Sequence, residues 1–247
     1  MNKTISEAFD FVDEVVAVLP MPGVQAFVLP SHTSLAAVRD RLGGASSLLL
    51  GAQNAHWDDE GSGATGEVSM RMVADAGARL VQIGHSERRS CFADSDEVVS
   101  RKVGAALAGG LTPLVCVGEA AGTRRSGNPS TFVVEQLRSA LSRAHADQIH
   151  RIVVAYEPVW AIGPGGTPAS PDDVAPVLSA IAGALGDWSS RERRGAVVYG
   201  GGVDLSNAAD LLDVAEGLFV GRAAWDAPGF KALLRISSEW VTRNHPA

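Results

Sequence analysis

Cysteine is scarce: the 247 residues contain only Cys91 and Cys116, with no metal-type cysteine spacing. No metal site is expected, and a reducing cytoplasm is the expected compartment. Positive charge is also in deficit, since 21 Lys and Arg stand against 28 Asp and Glu for a formal charge of −7. That balance disfavours nonspecific nucleic-acid binding, so no nucleic-acid partner is expected. An anionic ligand would need local arginines or backbone amides. No apolar run is long enough to cross a bilayer and no signal-peptide pattern is present, so no membrane partner is expected either. Low-complexity tracts and linkers are missing as well. The polar stretch 122–130 reads as a loop, not a boundary, and one domain over 1–247 is expected.

What is present is a regular alternation. Hydrophobic residues make up 46% of the chain. Strand-like runs recur at Val24 to Leu29, Leu48 to Gly51, Arg79 to Ile83, Leu111 to Val117, Ile152 to Tyr156, Ala196 to Tyr199 and Leu218 to Val220. Helical patterns separate them near Asp94 to Ala108, Thr131 to Ala144, Pro171 to Leu185 and Ala227 to Thr242. The chain opens on a further helix, Ile5 to Leu19, with Ile5, Ala8, Phe9, Val12, Val15, Val16 and Leu19 on one face. Such alternation predicts an α/β class with parallel strands and covering helices. Cys116 falls within an apolar strand and reads as core rather than as a nucleophile.

Two segments carry chemistry. In YEPVWAIGPGGTP, residues 156 to 168, Glu157 ends a buried strand, and Gly163, Gly165 and Gly166 supply the freedom and exposed amides of a closing, anion-binding lid. The bland alternative is an ordinary strand-to-helix connection with a solvated Glu. A second strand delivers Gly84-His85-Ser86-Glu87-Arg88-Arg89 to the same rim. A carboxylate can move a proton between adjacent carbons while an imidazole donates to one carbonyl oxygen and then the next, which suits isomerisation through an enediol.

AYEPVWAIG and GHSERR, together with AQN at Ala52 to Asn54, TGE at Thr65 to Glu67, LTPLVCVGE at Leu111 to Glu119 and YGG at Tyr199 to Gly201, resemble the triosephosphate isomerase family in order and spacing over nearly the whole chain. The resemblance implies a TIM (β/α)8 barrel, a length for which about 250 residues is typical. It implies interconversion of dihydroxyacetone phosphate and glyceraldehyde 3-phosphate without a cofactor. Glu157 would be the base and His85 a neutral electrophile. Glu87 would help position the rim, and Gly163, Gly202 and Gly221 would donate amides to the phosphate. A phosphorylated sugar substrate and a homodimer are implied, the latter through the loop from Trp57 to Glu67.

The chain also departs from the family pattern. Only seven strands are counted, and the first strand, which in the family ends in Asn-x-Lys-Met-Asn, is expected to be missing, with Met1-Asn2 matching only its last two residues. Lys3 lies roughly 10 Å too far along an extended chain to replace the family lysine. Loss of such a cation removes a contact worth about 3 to 4 kcal/mol. A longer natural chain and a degenerate relative both account for this. Gly202 stands where Ser is usual, Gly166 where Lys is common, and Arg222 where a second Gly is usual. Arg222 reads either as a phosphate ligand or as an outward partner of Asp226. AQNAHW and GLFVGRAAWD are similar to the branch of the family that isomerises four-carbon erythrulose phosphates, for which Gly202 and Arg222 are candidate sources of space and polarity. A noncatalytic sugar-phosphate binder is the remaining alternative.

Overall fold

The computed structural model describes residues 2–44, 46–58, 63–163 and 165–244. Its first regular element is helix α1, Ile5–Val16, started by a reciprocal capping box in which Thr4 Oγ1 accepts from the Glu7 N–H and Glu7 accepts from the Thr4 N–H. The helix stops short of the expected Leu19. Ala8, Val12 and Val15 form its buried face, whereas Ile5, expected on that face, is 44% exposed.

Six strands follow, each paired in parallel with its sequence neighbour: β1 (Phe27–Val28), β2 (Leu49–Ala52), β3 (Leu80–Ile83), β4 (Thr112–Val117), β5 (Val153–Tyr156) and β6 (Ala196–Tyr199). The expected seventh strand is reduced to a parallel bridge between Leu218 and Tyr199, flanked by the Phe219 N–H donating to Tyr199 O. Helices α2 (His32–Leu42), α3 (Met70–Asp75), α4 (Ser86–Cys91), α5 (Asp96–Ala108), α6 (Ala121–Arg125), α7 (Pro129–Ala140), α8 (Pro171–Trp188), α9 (Ala208–Leu212) and α10 (Ala227–Asn244) fill the connections. The presumed polar loop at 122–130 is therefore largely helical: Ala121–Arg125 forms α6, and Asn128 caps α7 with Pro129 in its first turn.

The strands bury both faces. On β4, Leu114 and Cys116 join an interior cluster with Leu80, Ala155 and Val198, while Val115 and Val117 join the larger core beneath the helices. This explains why the strands read as continuous apolar runs. The sheet curls far enough for its two extremes to meet, because Phe27 on β1 stacks on Phe219 with ring centroids 6.1 Å apart. Outside, α1 packs on both α2 and α10, with Phe11 edge-on to Phe230 at 5.6 Å. Among the described residues no ladder joins β1 to the 217–219 segment.

One buried ionic cluster ties α4 and α5 to the end of β2. Lys102 Nζ donates to Asp94 Oδ2 at 2.6 Å and to Asn54 Oδ1 at 2.9 Å, and Arg88 Nε donates to the same Asp94 oxygen at 2.9 Å. Burial opposes the Asp94 charge, yet Arg88 and Lys102 outweigh it and hold the carboxyl below its usual range. Since Arg88 is three residues beyond His85, this cluster fixes the helix that follows the imidazole. Lys102→Ala leaves Asp94 with one cationic partner and Asn54 with none, so a loss of about 3 kcal/mol is expected in urea unfolding. A loss below about 1 kcal/mol would mean that Arg88 alone compensates the acid.

Candidate active site

β3 and β5 flank β4, and their carboxyl ends deliver His85 and Glu157 to one mouth. Glu157 is only 5% exposed. Its Oε1 lies 3.6 Å from His85 Nε2, and its Oε2 has no hydrogen-bond partner. The solvated connection is therefore ruled out. Close approach from both sides makes this burial possible: a Cβ on Gly200 would sit 2.9 Å from Glu157 Cγ, and one on Gly118 would sit 2.0 Å from Glu157 O. Glycine at 118 and 200 lets the neighbouring backbones close around the acid.

Burial raises the Glu157 pKa, with His85 and a hydrogen bond from Cys116 opposing the shift. Cys116 is itself buried, and burial followed by the adjacent Glu157 charge pushes its thiol well up, so the sulfur stays protonated and donates to the carboxylate. Cys116 is core, as expected, but it also touches the acid. Gln82 Nε2 in turn reaches Cys116 Sγ at 3.7 Å. These contacts were missed in the sequence, where the one available signal was a polar Gln inside the apolar run 80–83.

His85 precedes the first turn of α4, and its Nδ1 accepts from the Glu87 N–H at 3.3 Å. An acceptor Nδ1 leaves the ring proton on Nε2, aimed at Glu157. Glu87 thus contributes its backbone, since its side chain is 79% exposed and 3.9 Å from the ring.

The segment expected to form a lid begins at Pro158 and makes a turn over Val159–Ala161. Trp160 Nε1 donates to Glu119 Oε1 at 2.7 Å, Tyr156 OH donates to the same carboxylate, and the Arg124 guanidinium lies 3.8 Å over the Trp160 ring. Gly163 and Gly202 are half-buried near one another's segments: a Cβ on Gly202 would meet Ala161 O at 2.8 Å. Gly221 is exposed and leads directly into Arg222. Among the described residues Arg222 does not pair with Asp226: its Nη2 donates to Gly163 O at 3.3 Å, while Asp226 Oδ1 accepts from the Gly229 N–H. The arginine thereby joins the two ends of the expected phosphate rim. A cleft of about 640 Å³ lies outside it, lined by Asp204, Ser206, Arg222 and Asp226 among others, and does not include His85 or Glu157.

The mouth combines a buried acid, a donor imidazole and a glycine-bearing loop. The triosephosphate isomerase family model matches residues 1–237. The L-erythrulose-1-phosphate isomerase of Mycolicibacterium smegmatis is 44% identical over 243 residues, covering 96% of this chain and 90% of that protein. The protein of the same name from Brucella abortus biovar 1 is 40% identical, with 99% and 96% covered. Among solved structures, the triosephosphate isomerase of Bartonella henselae superposes with a TM-score of 0.85 at 34% identity, covering 96% of this chain and 95% of that one. The chain is an isomerase with the TIM fold and belongs to the triosephosphate isomerase family.

Proposed function

We propose that this chain interconverts four-carbon erythrulose phosphates by proton transfer through an enediol. The observation that carries the chemistry is the buried Glu157 carboxylate facing the Nε2–H of His85. The names of the similar proteins favour the four-carbon substrate over dihydroxyacetone phosphate. In L-erythrulose 1-phosphate the carbonyl is C2 and the neighbouring C3 carries a hydroxyl. Glu157 takes the C3 proton, His85 donates to the oxygens on C2 and C3 as the enediol forms, and Glu157 returns the proton to C2. The carbonyl has then moved to C3, and the product is an isomeric ketose phosphate.

The phosphate binds at the rim formed by the Gly163, Gly202 and Gly221 amides and Arg222. C4, the carbon that distinguishes this substrate from the three-carbon one, is at the opposite end of the molecule. Arg222 is accordingly given the phosphate, not the additional hydroxyl. Charge-assisted hydrogen bonds from a guanidinium suit that role.

Turnover of both substrates tests this reading. L-erythrulose 1-phosphate is expected to be used with the higher kcat/KM. Exclusive use of dihydroxyacetone phosphate would return the chain to the three-carbon reaction, and phosphate binding without turnover would make it a binder. Glu157→Asp retracts the base by one methylene, so kcat is expected to fall about a hundredfold with inhibition by inorganic phosphate unchanged.

The base must be ionised to act, and its environment resists ionisation. A folded-state pKa raised above the ordinary 4.5 means that the folded chain holds this proton to higher pH than the unfolded chain. Between those two values the folded state binds more protons, so stability falls as pH rises through the window. Glu157→Gln removes the titration. Its melting temperature is expected to exceed that of the wild type at pH 8 and to converge with it near pH 4. An equal difference at both pH values would show that burial of the charge is not the cause.

A homodimer is the expected assembly. Residues 59–62 of the interface-type loop 57–67 lie outside the described residues. Phe92 and Met72, at 65% and 55% the most exposed large hydrophobics described, follow α4 and lie on α3, and they support a covered face. Sedimentation over a concentration series is expected to show a dimer, and a persistent monomer would refute it.

A further inference from the structure

We propose that Gln82 determines substrate choice by receiving the terminal hydroxyl of the four-carbon substrate, an assignment that rests on the erythrulose-phosphate reading above. Gln82 lies on β3 three residues before His85 and points into the barrel interior, where its neighbours on the adjacent strand are Leu114 and Cys116. The surrounding interior cluster, Leu80, Leu114, Ala155 and Val198 among it, is apolar.

A primary amide offers two N–H donors and an acceptor oxygen. Gln82 uses one donor, on a sulfur 3.7 Å away, and its amide oxygen has no partner among the described residues. That oxygen is not sealed off, since the buried side-chain atoms without a partner among the described residues are Arg89 Nη2 and Glu157 Oε2, so a ligand hydroxyl can satisfy it. Gln82 is 9% exposed, and in the same cluster Val198 is 8% and Leu80 5% exposed, whereas Leu114 and Ala155 are 0% and Cys116 is 1% exposed. The interior around this amide is therefore open enough for a small polar group to reach it.

Direction agrees with the chemistry. The phosphate rim is built after β5, after β6 and after the 217–219 segment. β3 lies on the other side of β4 and β5 from the last two of these. With the phosphate on that rim and the reacting carbons between Glu157 and His85, the C4 hydroxymethyl group extends away from the rim. Gln82 is linked to Glu157 through the Cys116 thiol, so it lies one side chain from the base. A hydroxyl can accept from the free N–H and donate to the amide oxygen at once. Dihydroxyacetone phosphate has no such group and leaves the amide unsatisfied, the arrangement by which a hydrogen-bonding site rejects a shorter analogue.

Gln82→Leu is close in volume and suits the apolar surroundings. It is expected to lower kcat/KM for L-erythrulose 1-phosphate at least about tenfold. Efficiency with dihydroxyacetone phosphate and the inhibition constant of inorganic phosphate are expected to stay unchanged. Gln82→Met provides the same readout if the Leu variant does not fold. Equal losses on both substrates, weakened phosphate inhibition, or failure of both variants to fold would make Gln82 structural and overturn the assignment. An unchanged substrate ratio in a folded variant would also overturn it while leaving the erythrulose-phosphate reading intact. If the wild type itself does not turn over L-erythrulose 1-phosphate, the substrate reading falls and takes this assignment with it.

Discussion

The site depends on one constraint: a carboxylate must be held almost out of water at the end of a parallel strand and still be able to ionise. Glu157 meets it with one partner oxygen and one orphan oxygen. The orphan costs stability, because a buried acceptor without a donor forfeits its hydration. Such cost is intelligible where chemistry needs a basic carboxylate, since desolvation raises the proton affinity of the group. Gly118 and Gly200 let two neighbouring backbones close on the acid, and Cys116 supplies the weak donor that tempers the shift.

The other buried acids are treated differently. Glu119, 1% exposed, receives hydrogen bonds from Trp160 and Tyr156, and Asp94 receives Arg88 and Lys102. Each is compensated and each anchors a neighbouring segment, Glu119 the turn that carries Trp160 and Asp94 the helix that follows His85. Among the described residues the buried side-chain atoms left without a partner are Glu157 Oε2, at the mouth, and Arg89 Nη2, whose guanidinium is otherwise bonded to Gly84 O and Asp96. A reacting group can be under-bonded where its supports are held, which is what a site on rigid elements requires.

Much of this was legible in the residues. Fully buried parallel strands leave continuous apolar runs, so β3 to β6 were visible within one residue at each end, and strand-end polar residues placed His85 and Glu157 at one mouth. The 218–220 run was a weaker case, since an apolar triplet specifies burial but not a ladder, and it forms only a bridge. The 122–130 stretch misled because α6 is a polar five-residue helix with no buried residue and hence no periodic apolar signal. Ile5 misled in the opposite direction, since helical spacing alone does not say how wide the covered face is. Arg222 was undecidable from spacing, because its partner Gly163 O is a backbone atom 59 positions away. Cys116 and Gln82 were hidden for a related reason: their meaning comes from inter-strand register, which local pattern does not encode.

Under the proposed function the barrel separates two tasks along the strand order. Phosphate recognition is assigned to loop backbone and Arg222 beyond β5 and β6. The base and imidazole sit between those loops and the interior of β3 and β4. Relatives that differ in the carbon chain of the substrate therefore have no physical reason to differ at the phosphate amides, which meet the same group in each. Differences that matter to the chain end must lie inward, on strands whose side chains are fixed by packing. An interior position changes shape only by substitution, whereas a loop can shift to accommodate either ligand. A buried polar residue in an otherwise apolar strand is thus better placed to exclude the shorter substrate than an exposed arginine is to attract the longer one, because discrimination grows with the cost of leaving the site's own groups unpaired.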